Sequence, residues 1–159
     1  MSERAQEPVW DYPRPPRLEA VDDLVEIDVA GVVIARTKSA LRCLETSHPP
    51  VYYIPRAAFV DGVLQPSRAR ATICEFKGQA RYFDIVVGTH RIERAAWDYP
   101  HPVEAFAGIR DHLAVYPSKM SECRVAGEVV RAQEGDFYGG WITSWITGPF
   151  KGGAGTLGW

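Results

Sequence analysis

Short apolar stretches interrupted by glycine recur along this sequence and indicate β-hairpins. Residues 25–29, Val-Glu-Ile-Asp-Val, alternate apolar and acidic side chains, which is the pattern of a half-buried strand. Ala30-Gly31 then separates them from the apolar residues 32–35. A nearly identical phrase follows at residues 125–130, and both two hairpins of similar length and an internal duplication explain the likeness.

Further strands and two short helices are predicted from the same local signals. Gly88 interrupts a third apolar stretch. Residues 50–54 are rich in β-branched and aromatic residues, which favour strands. Residues 71–76 and 80–87 flank a turn at Lys77-Gly78 and so indicate another hairpin. Residues 39–45 and the amphipathic stretch 102–113 carry helix signals. These patterns predict a mainly β chain, a single domain of antiparallel sheets with one or two short helices.

The first 17 residues differ in composition from the rest of the chain. Four prolines interrupt any helix or ladder there and favour an extended path. We therefore divide the sequence into a proline-rich arm, residues 1–17, and one domain, residues 18–159. Burial of Trp10 and Tyr12 would pin the arm to the domain, and an exposed, mobile arm is the alternative.

Composition excludes several classes of function. The net charge of −2 predicts no nucleic-acid partner, and the absence of a long apolar run predicts no membrane contact. Three scattered cysteines without a secretory signal favour a cytoplasmic protein with reduced thiols. Neither cysteines nor histidines are paired at metal-binding spacing, so we expect no metal and no cofactor. The oligomeric state is not indicated by these features.

Two groups of residues carry candidate catalytic chemistry. Glu45 and His48 stand three apart, so the carboxylate could orient the imidazole for acid–base work, although a surface turn with a capping contact is the plainer interpretation. Cys74 precedes Lys77 by three residues. A turn that brought the ammonium to the thiol would favour the thiolate nucleophile, whereas a strand cysteine is more often a small buried apolar residue.

Aromatic residues supply candidates for ligand binding. Tyr52 and Tyr53 are adjacent in one predicted strand and so point to opposite faces; one ring should enter the core and the other should face solvent or a pocket. Trp97, Tyr99 and His101 alternate along one direction and would line either a ligand site or a core seam. The glycines between Tyr138 and Trp141 predict a close backbone approach.

The glycine-rich end of the chain, residues 151–155, is not a P-loop, because its lysine precedes the glycines. A weak anion nest of backbone N–H groups is what this stretch can offer.

Four separated motifs resemble a known family: Leu-Glu-Thr at 44–46 with Tyr52-Tyr53 and Pro55, Cys74 with Lys77-Gly78, Trp97 with Tyr99-Pro100, and Phe137 to Trp141.

The family that these motifs resemble is catalogued as domain of unknown function 427. Glu75 departs from its pattern, which usually has proline there. The resemblance implies a β-tent-like arrangement of two antiparallel sheets. A nucleotidyltransferase label is applied to the family, but the sequence lacks the Gly-Ser turn and Asp-x-Asp pair that would support it.

Three functions follow from these observations. The first is a binding site for a small-molecule or anionic ligand, lined by the following residues: Tyr53, Lys77, Trp97, Tyr99, Tyr138 and Trp141. The second is a small enzyme with Glu45 or His48 as acid–base and Cys74 or Lys77 as nucleophile or anion binder. The third is a purely structural role, with the aromatic rings packed in an ordinary core.

Overall fold

Antiparallel pairing of short strands builds this chain. The computed structural model describes residues 4–74, 77–135 and 138–159. Within those ranges the strands are Glu7–Pro8 (β1), Arg17–Ala20 (β2), Val25–Val29 (β3), Val32–Thr37 (β4), Leu41–Leu44 (β5), Val51–Pro55 (β6), Leu64–Pro66 (β7), Thr72–Cys74 (β8), Gly78–Val87 (β9), His90–Asp98 (β10), His112–Val115 (β11), Glu122–Val125 (β12), Glu128–Val129 (β13), Arg131–Ala132 (β14), Trp141–Ile142 (β15) and Ile146–Thr147 (β16). Short 3₁₀ helices lie at Val9–Asp11, Arg56–Ala58, Glu104–Ile109 and Pro117–Lys119.

Two larger sheets dominate the architecture. An eight-stranded sheet runs β2-β5-β6-β11-β10-β9-β7, with β8 paired to β9 beside that path. A four-stranded sheet runs β13-β12-β3-β4. The pairings inside both sheets are antiparallel. The prediction of a mainly β chain with antiparallel sheets is confirmed.

The hairpins predicted from the glycine turns are present. In the β3–β4 turn, Ala30 and Gly31 have φ of 50° and 79°, and in the β12–β13 turn Ala126 and Gly127 have φ of 52° and 80°. Positive φ at both central residues is the mark of a type I′ turn, whose twist suits a two-residue hairpin. The inner strands β3 and β12 pair antiparallel, so a local twofold axis relates the two hairpins.

The eight-stranded sheet is buried on both faces. One face packs on the four-stranded sheet and forms the main core, which includes Tyr52 and Ile54 of β6 and Ile27 of β3. The opposite face carries a second apolar cluster, which includes Tyr53 of β6 and Trp97 of β10. Because side chains alternate along a strand, neighbouring residues of one strand serve different cores.

The first predicted helix is wrong, and the second is shorter than predicted and of the 3₁₀ type. Leu41–Leu44 forms strand β5, because its backbone pairs with both β2 and β6 and so completes the sheet between them. In the stretch 102–113 only Glu104–Ile109 is helical, as a 3₁₀ segment interrupted at Phe106, and β11 begins at His112. Phe106 and Ile109 still share one face, which packs on the second cluster. None of the helices in the described ranges has the length and apolarity that a bilayer crossing requires.

The N-terminal segment lies against the body of the protein. Strand β1 pairs in parallel with β16, and Val9 is fully buried in the main core. The Trp10 indole donates to the carbonyl of Pro149 over 2.8 Å, and its ring contacts that of Trp159. The Tyr12 hydroxyl donates to the Glu7 carboxylate over 2.7 Å.

Candidate functional site

A cavity of about 370 Å³ opens on the second-cluster face of the eight-stranded sheet. It is bounded by strands β5, β6, β8, β9 and β10 and by five segments outside the strands, which contain residues 45–49, Lys77, Tyr99, Tyr138 and Lys151. Its lining comprises Cys43, Glu45, His48, Pro49, Val51, Tyr53, Thr72, Ile73, Cys74, Lys77, Tyr82, Arg94, Trp97, Tyr99, Tyr138 and Lys151. We call this space the cavity throughout.

The structure brings eight of the nine predicted site residues together in the cavity. They are Glu45, His48, Tyr53, Cys74, Lys77, Trp97, Tyr99 and Tyr138. The exception is Trp141, which is fully buried in the main core with its ring 4.8 Å from that of Tyr52. His101, whose alternation with Trp97 and Tyr99 also suggested a ligand site, is exposed and does not line the cavity.

Strand alternation explains the aromatic wall. Tyr52 points to the main core and Tyr53 to the cavity, which is one of the two arrangements that the alternation predicted, and both rings are buried. Tyr53 packs near Tyr99, with ring centroids 6.5 Å apart. Burial raises the pKa of both phenols, so they remain protonated and can donate hydrogen bonds at neutral pH.

The pairing of β8 with β9 places Lys77 near Cys74. Its ammonium Nζ lies 3.9 Å from the Cys74 sulfur and 5.7 Å from the ring centroid of Phe106. Cys74 is half-buried, between the buried and the reactive interpretations of the sequence. The backbone at Gly78 has φ of 111°, and a Cβ there would lie 3.0 Å from the carbonyl oxygen of His101. Glu75 and Phe76, between these positions, lie outside the described residues, as do Asp136 and Phe137.

His48 is a neutral hydrogen-bonding group in the cavity wall. Burial, followed by the charge of Lys151, lowers its pKa to about 4. Its Nδ1 lies 3.4 Å from Nε2 of Gln133, whose Oε1 accepts from the amide of Gly140. That second bond orients the Gln133 amide, so its NH₂ donates to Nδ1. The proton of the neutral imidazole therefore sits on Nε2.

Glu45 and His48 are joined through a backbone hydrogen bond in their loop and not through their side chains. The amide of His48 donates to the carbonyl of Glu45 over 3.0 Å, and Ser47 between them has φ of 72°. The ring of His48 meets that of Tyr138 edge-on at 4.7 Å. The predicted carboxylate–imidazole contact is thus replaced by Gln133, which the sequence did not single out.

Two cations of the cavity, Arg94 and Lys151, are not among the site residues predicted from the sequence. Arg94 sits in a β-bulge of β10 with φ of 49°, and its amide donates to the buried Asp84 carboxylate over 2.9 Å. Such bulges re-aim side chains, and the guanidinium lies over the ring of Tyr82 at 4.5 Å. Lys151 comes from the C-terminal loop, and its Nζ lies 5.5 Å from the ring centroid of Tyr138. Neither a bulge at a non-glycine residue nor this long-range packing has a local sequence signal.

The cavity is cationic although the chain as a whole is acidic. Lys77, Arg94 and Lys151 contribute three positive charges against the single carboxylate of Glu45. With His48 neutral the lining carries a formal charge of +2, compared with −2 for the whole sequence. A concave surface of this charge attracts anions, because the low-dielectric walls focus the field.

The two glycines before Trp141 allow the close approach that the sequence predicted. Gly139 has φ of 73°, and a Cβ there would collide with the Trp97 ring. A Cβ on Gly140 would lie 2.9 Å from the carbonyl oxygen of Pro49. The backbone passes between the cavity on the Tyr138 side and the main core on the Trp141 side.

The glycine-rich loop at 151–155 makes its own contacts beside the cavity. The amide of Gly152 donates to the hydroxyl of Thr156 over 2.8 Å, and the carbonyl of Lys151 accepts from Gln133 over 2.6 Å. Gln133 therefore connects His48, the C-terminal loop and Gly140. Over the described ranges, no three His, Cys, Asp or Glu side chains converge as a metal site would require.

Comparison with known proteins places the chain in a family. No curated protein matches it significantly. A family model described as "Domain of unknown function (DUF427)" matches residues 17–126, more than two thirds of the sequence. The match spans the large sheet from β2 to β11 and most of the four-stranded sheet. The chain belongs to the DUF427 family.

Proposed function

We propose that the protein binds a small anionic molecule with a planar apolar part in the cavity. The observation that carries the proposal is the combination of a +2 lining with an aromatic wall. The volume of about 370 Å³ lies in the range of sites for small ligands. Such sites are largely apolar and hold a few polar groups that orient the ligand, which is the composition found here.

The polar groups of the cavity are mainly hydrogen-bond donors. The ammonium groups of Lys77 and Lys151 and the guanidinium of Arg94 donate only. His48 adds a donor at Nε2, because Gln133 occupies its Nδ1. An oxyanion such as a carboxylate or phosphate accepts from all of these groups. The phenols of Tyr53 and Tyr99 and the ring of Trp97 offer apolar surface to the rest of the ligand.

Phenyl phosphate and benzoate are suitable probes, because each joins a planar ring to one oxyanion. We expect saturable changes in tryptophan fluorescence and a raised melting temperature with these compounds. Benzyl alcohol and benzylamine, which keep the ring and lack the anion, should produce neither effect at equal concentration. Equal binding of the anionic compounds and of the two compounds that lack an anion would contradict the proposal.

A matched pair of lysine variants tests the location. Lys77→Gln removes one positive charge from the cavity, and Lys38→Gln removes one from an exposed position outside it. We expect Lys77→Gln to weaken phenyl phosphate binding about tenfold and Lys38→Gln to leave it unchanged. If both variants lose affinity, the cause is the overall charge of the protein and not a site in the cavity.

A catalytic role for the cavity is the second proposal. Its support is that Glu45, His48, Cys74 and Lys77 all line one space. The lowered pKa of His48 makes the neutral imidazole a weak base, so a bound anion that raises this pKa would be needed for proton transfer. NMR titration of His48 with and without phenyl phosphate tests this requirement. An unchanged His48 pKa in the bound state would contradict it.

A further inference from the structure

Cys74 differs from the other two cysteines in its surroundings. Cys43 and Cys123 are buried, and burial raises the pKa of both thiols, that of Cys43 to about 11. Both therefore stay protonated and unreactive at neutral pH. Cys74 is half-buried, lines the cavity and has an ammonium group near its sulfur.

Two features favour reaction at the Cys74 sulfur. The Lys77 ammonium at 3.9 Å stabilises a negative charge on it. The cavity gives a partner molecule access to the sulfur, and its other two cations, Arg94 and Lys151, help to concentrate anions there.

We propose that Cys74 is a modification site that undergoes thiol–disulfide exchange with anionic low-molecular-weight disulfides held in the cavity. This inference rests on the proposed anion binding. The Cys74 thiol first loses its proton to solvent. The thiolate then attacks one sulfur of the bound disulfide, a bond forms between the two sulfur atoms, and the original disulfide bond breaks. The departing thiolate takes the electron pair and is protonated by solvent, so the bound disulfide is the oxidant and is itself reduced to one thiol.

Two chromogenic disulfides of different charge test the proposal on the native protein. Dithiobis(nitrobenzoate) is a dianion, and dithiodipyridine is neutral at pH near 7. We expect the ratio of their rate constants to be about tenfold higher for the protein than for free cysteine, because the cationic lining attracts the dianion. Mass spectrometry of the labelled chain should place the adduct on Cys74.

Variants and salt separate the electrostatic cause from other effects. Lys77→Gln should lower the ratio toward that of free cysteine, and Lys38→Gln should leave it unchanged. Raising the salt concentration should lower the ratio of the wild-type protein without any change in its sequence. An adduct on Cys43 or Cys123, or a ratio equal to that of free cysteine, would overturn the proposal.

The Cys74→Ser variant distinguishes this inference from anion binding itself. The variant keeps the cations of the cavity and should still bind phenyl phosphate, while native labelling is lost. Binding by the variant together with a free-cysteine ratio in the wild type would overturn the exchange and leave the anion site standing. Absence of phenyl phosphate binding in both proteins would remove the proposed function, even where Cys74 reacts.

Discussion

The backbone amide of Ser47 donates to the carbonyl of Val9 over 3.0 Å, which ties the N-terminal segment to the loop that carries Glu45 and His48. The amide of Thr46 likewise donates to the carbonyl of Pro13 over 3.1 Å. Because Ser47 is held in a left-handed conformation, that loop needs outside support. The segment before β2 is therefore part of the frame of the cavity.

Replacing Val9 by alanine should weaken this support. The side chain is fully buried, so the loss of two methyl groups should lower the free energy of unfolding by about 2 kcal/mol. Urea denaturation followed by tryptophan fluorescence measures the change. Val60→Ala is the matched control, because Val60 is 48% exposed and should cost less than about 0.5 kcal/mol. Equal stability of Val9→Ala and the wild type would show that the segment does not hold the loop.

The pH dependence of stability should report on His48. Its pKa is 6.5 in the unfolded chain and about 4 in the folded protein. Between these values the unfolded chain gains a proton that the folded protein excludes, so stability falls as the pH drops through this range. From pH about 7.5 to about 5, we expect a loss of about 2 kcal/mol from this group.

His48→Gln should reduce that loss, since glutamine does not titrate. The exposed His90 provides the control, and His90→Gln should retain the wild-type dependence. Urea unfolding at the two pH values measures both variants. A wild-type slope that survives in His48→Gln would mean that other groups cause it.

Gly140→Ala should disturb both stability and the cavity. A Cβ would press on the carbonyl of Pro49 and on the Gln133 side chain, so we expect a loss of about 1–3 kcal/mol. Displacement of Gln133 should also release Nδ1 of His48 and weaken phenyl phosphate binding. Gly158→Ala is the control, because its Cβ meets no atom within 4 Å. Thermal unfolding measures the stability of both variants, and fluorescence titration measures their binding of phenyl phosphate. If Gly140→Ala changes neither quantity, the close approach at Gly140 is refuted.

Asp98 should be a strong contributor to stability on the main-core side. This buried carboxylate accepts from Arg81 over 2.8 and 3.1 Å and from Arg56 over 3.1 Å. Asp98→Asn removes the charge from these bonds and should cost about 1–3 kcal/mol. Chemical denaturation at high and low salt measures the loss, with the exposed Asp61→Asn as reference. A cost no larger than that of Asp61→Asn would contradict this expectation.

Local signals account for what was predictable in this chain. The hairpins at Ala30-Gly31 and Ala126-Gly127 were foreseen because a turn and its flanking alternation lie within a few residues. The stretch 102–113 was misassigned because its apolar spacing serves a 3₁₀ segment and then a central strand. His48 and Cys74 were predicted as site residues from their residue types. No local pattern predicts Arg94 in the cavity, because its position there depends on a β-bulge.

Because the eight-stranded sheet carries a core on one face and the cavity on the other, substitutions on its two faces have different consequences. On β6, Tyr52 faces the main core while Tyr53 faces the cavity. A substitution at Tyr53 changes the wall of the cavity, whereas the packing between the sheets depends on Tyr52. Selection can thus diversify the chemistry on one side of a single strand while it conserves the scaffold on the other.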